Sequence, residues 1–286
     1  MVIRTPPGWG WEEIGHAFRA VGSASPDTYW PQAGAAVRPA IRRVGVADLR
    51  EALVRGFDDF AAYRSDVVFL CVIYPVVGLL LARVAFGYAM LPLLFPLASG
   101  FALIGPFAAV GLNEMSRRRE LTQEARFWDA FALFRSPAFG KVIALGLVLT
   151  AVFLLWLIAA QAIYEWTLGP NPPTSVAGFA HDVLRTPHGH GMIVLGVAVG
   201  FLFAVLVLTI SVVAFPMLLD RNVPLEVAVR TSVLVVAANP VTMAIWGLVV
   251  AAGLVIGSIP LLLGLVVVMP VLGHATWHLY RRTVQI

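Results

Sequence analysis

An all-α, polytopic membrane bundle is the fold class this sequence predicts: six transmembrane helices in three hairpins, each hairpin preceded by a cytoplasmic-side amphipathic helix. Three observations predict it. Of 286 residues, 59% are apolar and only 13% charged, and the mean hydropathy is +0.86, well outside soluble usage. The apolar residues fall in runs near the roughly 20 needed to cross a hydrocarbon core, without the period-two alternation of an outer-membrane barrel. Third, the basic residues fall almost entirely on one side of those runs.

Residues 1–45 are rich in Pro, Gly, Ala and Trp. "TPPGWGW" and "SPDTYWPQAG" interrupt any long helical period, so a mostly irregular cytoplasmic tail is expected, with one short helix near 11–21. The first residues lack the apolar core and small-residue cleavage site of a signal peptide, so the first crossing is expected to direct insertion. From Val46 to Arg64, Leu49, Leu53, Phe57 and Phe60 recur at three- and four-residue steps among charged residues, predicting an amphipathic helix in the membrane interface.

Six apolar spans follow, at about 67–86, 90–112, 142–164, 192–219, 241–258 and 260–279. Spans one and two are joined by "GYA", and spans five and six by a turn around "GSIP". Spans three and four are separated by a longer polar segment containing "RTPHGHG", read as an exposed loop. With both termini inside, segments 1–66, 113–141, 220–240 and 280–286 carry 18 of the 20 Arg and Lys, leaving Arg83 and Arg185 outside. This satisfies the positive-inside rule. The net charge of +4 and pI near 9.6 therefore reflect topology and contact with anionic lipid, not a nucleic-acid groove.

The plan is written three times. "RGFDDFAAYRSD" (55–66) aligns with "RFWDAFALFRSP" (126–137), matching Arg55 with Arg126, Asp58 with Asp129, Phe60 with Phe131, Arg64 with Arg135 and Ser65 with Ser136. A weaker third copy, "PLEVAVRTSVLVVAANP" (224–240), sets Leu225, Val229, Val233 and Val236 on one face and stops at Asn239-Pro240. Proline disfavours helix at the residue before it, and Ser or Asn can cap the next helix. Pro106, Pro216 and Pro270 mark corresponding places in the second helix of each pair. The expected domains are thus the tail 1–45 and a transmembrane domain 46–286 of three parallel repeats: 46–119, 120–221 and 222–286. Parallel repeats of this kind enclose the substrate site in transporters, or serve only to build a stable bundle.

"VADLREALVRGFDDFAAYRSDVVFLCVIYPVVGLLLAR", "LPLLFPLASGFALIGPFAAVGLNEMSRRRE", "FPMLLDRNVPLEVAVRTSVLVVAANPVTMAIWG" and "MPVLGHATWHLYRR" occur in this order. They resemble the bacterial predicted integral membrane proteins grouped as domain of unknown function 2189, over about residues 40–284. The resemblance implies a multi-pass protein of the bacterial inner membrane, and it carries no activity, ligand or catalytic residue. The unit of surface helix, Asn-Pro stop and hairpin is also similar to the membrane domain attached to some glycerophosphodiesterases.

His274 and His278, four apart on one helical face, are candidate metal ligands. Glu114 follows Pro106 by the same eight residues that separate His278 from Pro270, so Asn113, Glu114, His274 and His278 form a candidate polar cluster at the cytoplasmic mouth. The alternative is an interfacial His pair bonded to headgroups or loops. His188 and His190, near His181 and Asp182, are a second candidate. Asp58 and Asp129 read as acids facing water, and Arg64, Arg135, Arg117, Arg118 and Arg119 as a candidate headgroup-binding ring. Arg83 reads as snorkelling to the outer surface, with Glu165 a candidate partner. Tyr74, Gln161, Thr209 and Ser211 are the candidate cavity-lining residues, Thr150 also being polar and equally suited to helix packing.

A single cysteine, Cys71, provides no disulfide or thiolate cluster within the chain. No span carries Asp, Glu or Lys at mid-bilayer, as an ion-coupled pump needs, and no nucleotide-binding, serine-hydrolase or zinc-protease motif is present. The histidines are not distributed as a haem–copper centre requires. The expectation is a non-enzymatic structural or accessory membrane protein without a cofactor. Its expected partners are membrane lipid and, in addition, another membrane protein or a second copy. The alternatives are a transporter or channel for a small apolar or lipidic molecule between the repeats, and a metal- or haem-binding redox protein.

Overall fold

The computed structural model describes residues 39–63, 76, 79–80, 83, 91–122, 134, 136–221, 223–260 and 262–285, all within the compact unit Pro39–Gln285. The expected tail with its short helix, nearly all of span one, most of the second surface helix, and Arg64, Cys71, Tyr74 and Arg135 lie outside the described residues.

The described chain is all-α apart from one minimal ladder. Strand β1 (Ala40–Ile41) pairs antiparallel with β2 (Val284–Gln285), an ordered pair within the otherwise irregular residues 39–45. Helix α1 (Val46–Ala62) starts where Asp48 Oδ2 accepts from the Gly45 N–H at 2.9 Å. A 3₁₀ turn (Leu91–Leu93) leads into α2 (Leu94–Ala108), which contains Pro106, and α3 (Val110–Thr122) follows after an interruption at Ala109. Helix α4 (Phe139–Leu168) has 30 residues, about 45 Å at 1.5 Å per residue. Next come α5 (Val176–Arg185), α6 (Pro187–Ser211), α7 (Ala214–Asp220), α8 (Leu225–Ala238), α9 (Pro240–Ser258) and α10 (Leu265–Thr283).

Among the described residues, four helical stretches are long and apolar enough to cross a membrane: Leu91–Thr122, Phe139–Leu168, Pro187–Asp220 and Pro240–Ser258. The expected last span is α10. Its first half is apolar, whereas His274, Trp277, Tyr280 and Thr283 of its second half are buried in protein. The break between α6 and α7 falls at Val212 and Val213. Pro216, lacking an N–H, cannot bond the carbonyl four residues back, which is that of Val212.

The segment between spans three and four is helical, not the loop expected. Ser175 Oγ accepts from the Gly178 N–H at 3.0 Å and starts α5; Thr186 Oγ1 accepts from the Gly189 N–H at 3.0 Å and starts α6, with Pro187 in its first turn. Two adjacent caps, each satisfying an otherwise orphaned N–H, convert a Pro- and Gly-rich stretch into two helix starts. Tyr164 braces this corner, donating to the Asn171 carbonyl at 2.6 Å and meeting the Phe179 ring.

On the surface helices the most deeply buried positions lie beside the apolar stripe, whose Leu53, Leu225, Val229 and Val236 are partly buried and also pack against the core. On α1 the buried positions are Leu49, Ala52, Gly56 and Asp59, while Phe57 is exposed. On α8 they are Ala228, Thr231, Ser232 and Val235, with Val229 and Val236 one position away from two of them. Lipid tails are as apolar as Leu, so close approach between small residues and hydrogen bonding, rather than apolarity, decide which stripe faces a neighbour.

Helix α1 packs along α10 at Gly56, where an added Cβ would stand 2.6 Å from Ala275 N and 2.7 Å from the Val271 carbonyl oxygen. The α9–α10 turn closes in a similar way, with a Cβ at Gly264 meeting Gly257 Cα at 2.8 Å. The Asn239-Pro240 stop also acts at a distance. Asn239 Oδ1 accepts from the Val44 N–H at 2.8 Å, Nδ2 donates to Val235 and Arg42 carbonyls, and Thr242 donates to the Val44 carbonyl at 2.8 Å. Asn239 thus anchors the segment after β1, in place of the expected side-chain cap on the next helix. Gly56→Ala is expected to lower the stability of the detergent-solubilised protein by about 1–3 kcal/mol, the usual cost of overpacking. Gly45→Ala, with nothing within 4 Å of the added carbon, is expected to be nearly neutral when both are followed by thermal unfolding.

Candidate functional site: an apolar cavity backed by a buried carboxylate network

Where α2, α6, α7, α9 and α10 meet, with Asn113 of α3, they leave a cavity of about 360 Å³. Pro106, Pro216 and the residue before Pro270, Met269, all line it, with Phe215 and Trp246 as buried walls. Its lining also includes Phe201 and Val205 of α6 and Leu248 of α9, which are exposed on the outer surface of the bundle. These two helices approach at Leu208 and Gly247. Among the described residues the wall contains no charged side chain; its polar side chains are Asn113, Ser211 and Thr276, with the indole of Trp246 beside them. Ser211 and Thr276 donate to the Val207 and Leu272 carbonyls at 2.6 and 2.7 Å. Asn113 is buried, and its Oδ1 has no hydrogen-bond partner among the described residues.

Of the four expected cavity residues, Ser211 lines this space and Tyr74 lies outside the described residues. Gln161 instead donates to Glu165 at 2.9 Å, and Thr209 is turned outward and donates to the Val205 carbonyl at 2.7 Å. A hydroxyl one turn beyond a carbonyl in the same helix is satisfied without any tertiary partner. Residue type alone therefore cannot distinguish a cavity wall from a lipid-facing surface. The Glu165 carboxylate, expected near Arg83, receives the Gln161 amide.

Behind Asn113, one turn along α3, lies the most connected polar group of the described chain. Asp59 of α1 accepts from Ser116 Oγ at 2.6 Å and His278 Nε2 at 2.9 Å on one oxygen, and from Arg119 at 2.5 Å on the other. Ser116 Oγ also lies 2.7 Å from His274 Nδ1. Because the serine has spent its only hydrogen on Asp59, His274 Nδ1 must carry the hydrogen in that contact. The imidazole is fully buried, with the Leu112 backbone beside it.

The expected cluster of Asn113, Glu114, His274 and His278 is thus redistributed. The carboxylate that joins the histidines is Asp59, not Glu114. Glu114 is clamped by Arg117 at 2.8 and 2.9 Å and by Arg118 at 2.9 Å. Among the described residues no three His, Cys, Asp or Glu are arranged to hold a metal ion. Arg117, Arg118 and Arg119, expected to face headgroups, are all engaged within the protein. His181 pairs with Asp182 at 3.6 Å, and His190 Nε2 lies 3.0 Å from the Leu184 carbonyl, so the second histidine group helps to join α5 to α6.

The same arrangement continues along α10. Trp277 and Arg281 both donate to Glu120, Tyr280 donates to Asp220 at 2.8 Å, and Arg282 meets Asp48 at 2.8 Å and also Glu51. The signal for Asp59 was in the sequence, because Ala52, Gly56 and Asp59 fall at helical spacing as a small-to-polar stripe.

Burial alone would raise the Asp59 carboxyl. The hydrogen bonds from His278 and Ser116, with the charges of the two histidines, outweigh it and hold the group below its ordinary value of 3.8. A depressed carboxyl stabilises the fold above the unfolded value and ceases to do so as pH falls through the folded one. The stability supplied by Asp59 is therefore expected to be complete above about pH 4 and to fade on further acidification. Asp59→Asn, which faces donors with an NH₂, is expected to cost on the order of 2 kcal/mol and to remove part of the acid dependence, read by unfolding the solubilised protein from pH 3 to pH 7.

No curated protein and no solved structure matches the chain. The family match is shorter than the expected 40–284 but takes in α2, α3, the cavity's Ser211 and Pro216, and Ser116 and Arg119 of the network: residues 93–220 match the family described as Predicted integral membrane protein (DUF2189), and the chain is an integral membrane protein with several apolar helices.

Proposed function

We propose that this chain is a non-enzymatic, multi-pass protein of a bacterial inner membrane that holds a lipidic molecule between three repeated units. The observation that carries the reading is the cavity. It is uncharged, it lies where the helices bearing Pro106, Pro216 and Pro270 meet, and exposed apolar residues of α6 and α9 form part of its lining. An occupant entering from the bilayer would exchange one apolar surrounding for another, so shape and a few polar contacts would select it.

Six crossings with both termini inside remain the topology most consistent with the distribution of Arg and Lys. On this reading, span one and the first half of α10 complete the set. The arginine-rich face serves mainly to fasten α1, α3, α7 and α10 together. This favours a lipid-holding accessory protein or carrier over a headgroup-binding scaffold.

Native mass spectrometry of gently solubilised protein is expected to show a non-covalent adduct of lipid mass that leaves on activation. Ala251→Trp, which fills part of the cavity wall, is expected to reduce that adduct several-fold; a bare wild-type mass would count against the reading. Reporter fusions are expected to be cytoplasmic after residue 286 and periplasmic when inserted at Pro172, and the reverse pattern would refute the topology.

A further inference from the structure

We infer that the cavity takes an uncharged lipid ending in a hydroxyl group, with Asn113 as its polar anchor; this rests on the lipid-holding reading above. Three observations select the chemistry. First, the wall has no charged side chain among the described residues, and the carboxylate next in sequence to Asn113, Glu114, is already matched by Arg117 and Arg118. A phosphate, carboxylate or ammonium drawn into the cavity would be an unpaired buried charge, which is costly enough to exclude.

Second, the wall offers acceptors in need of a donor beside the Asn113 amide and Trp246 N–H groups. Ser211 and Thr276 have committed their hydroxyl hydrogens to carbonyls of their own helices. Asn113, only 1% exposed, has an Oδ1 without a partner among the described residues. A buried polar atom left unpaired is the kind of group a ligand or water completes. A hydroxyl both donates and accepts, so it satisfies Asn113 whichever way the amide is turned, whereas an ether or ester can only accept.

Third, at about 360 Å³ the cavity is near the lower end of ordinary ligand sites. That suits one chain with a small head and not a two-chain phospholipid.

The test is competition for radiolabelled hexadecanol bound to the full-length protein in detergent, using unlabelled hexadecanol, hexadecyl methyl ether and hexadecanoate at pH 8. Wild-type protein is expected to prefer the alcohol over the ether by about fivefold, the worth of one net hydrogen bond, and to take hexadecanoate least. Asn113→Leu is expected to bring the alcohol-to-ether ratio close to one while the chain still binds. Should that variant not fold, the wild-type ratio alone decides. Equal competition by alcohol and ether, or preference for hexadecanoate, overturns the inference and leaves the cavity reading standing. Failure to retain any chain, with Ala251→Trp indistinguishable from wild type, overturns the cavity reading and the inference together.

Discussion

The described structure depends on a carboxylate placed where water is scarce. Asp59 is 5% exposed and remains ionised because Ser116, His278 and Arg119 surround it. Those partners come from two helices that are distant in sequence, so the group can be satisfied only when α1, α3 and α10 are all in register. Gly56 sets how closely α1 approaches α10, and Asp59, one turn away, sets where along the helix that approach occurs. Packing between apolar helices in lipid has little inherent preference for one rotation over another. A buried ion with several partners supplies that preference, which is the best-attested use of such groups.

The balance of charge on this side of the protein follows the same logic. An excess of arginine orients the chain during insertion, but once the helices assemble, most of these cations need counter-ions close by. Glu114, Glu120, Asp220, Asp48 and Glu51 provide them, each meeting at least one arginine. On the proposed topology, residues that would first act as a signal for orientation become the fastening of the finished bundle. This explains why a ring of headgroup-binding arginines, reasonable from composition, does not describe Arg117, Arg118 and Arg119.

Sequence patterns were most informative where the physics is local. Apolar run length located the four long helices, Pro106, Pro216 and Pro270 marked the helices that meet at the cavity, and the Ala52, Gly56, Asp59 spacing was visible in retrospect. What sequence could not supply was rotation. On α1 and α8 the apolar residues are mostly only partly covered, and the smaller or more polar residues beside them, such as Ala52, Gly56, Ala228 and Ser232, are the most deeply buried. Long-range choices were equally inaccessible: nothing in the spacing says that His278 meets Asp59 rather than Glu114, or that Asn239 reaches Val44. The two caps at Ser175 and Thr186 were local and readable, but Pro and Gly around them masked the helices they start.

The joining of the chain's distant parts bears on how the protein is made. Arg282 contacts Asp48 across 234 residues and His278 contacts Asp59 across 219, while β1 pairs with β2 beside them. At a synthesis rate of about 5–20 residues per second, α1 waits roughly 10–45 s for its partner helix to emerge. During that interval α3, which follows within 60 residues, can supply Ser116 and Arg119 to Asp59, but His278 is still missing. The face that α1 later turns to α10 stays uncovered until then. Completion of the fold is therefore a late docking event, and an interrupted chain would display on α1 a face that the finished protein hides.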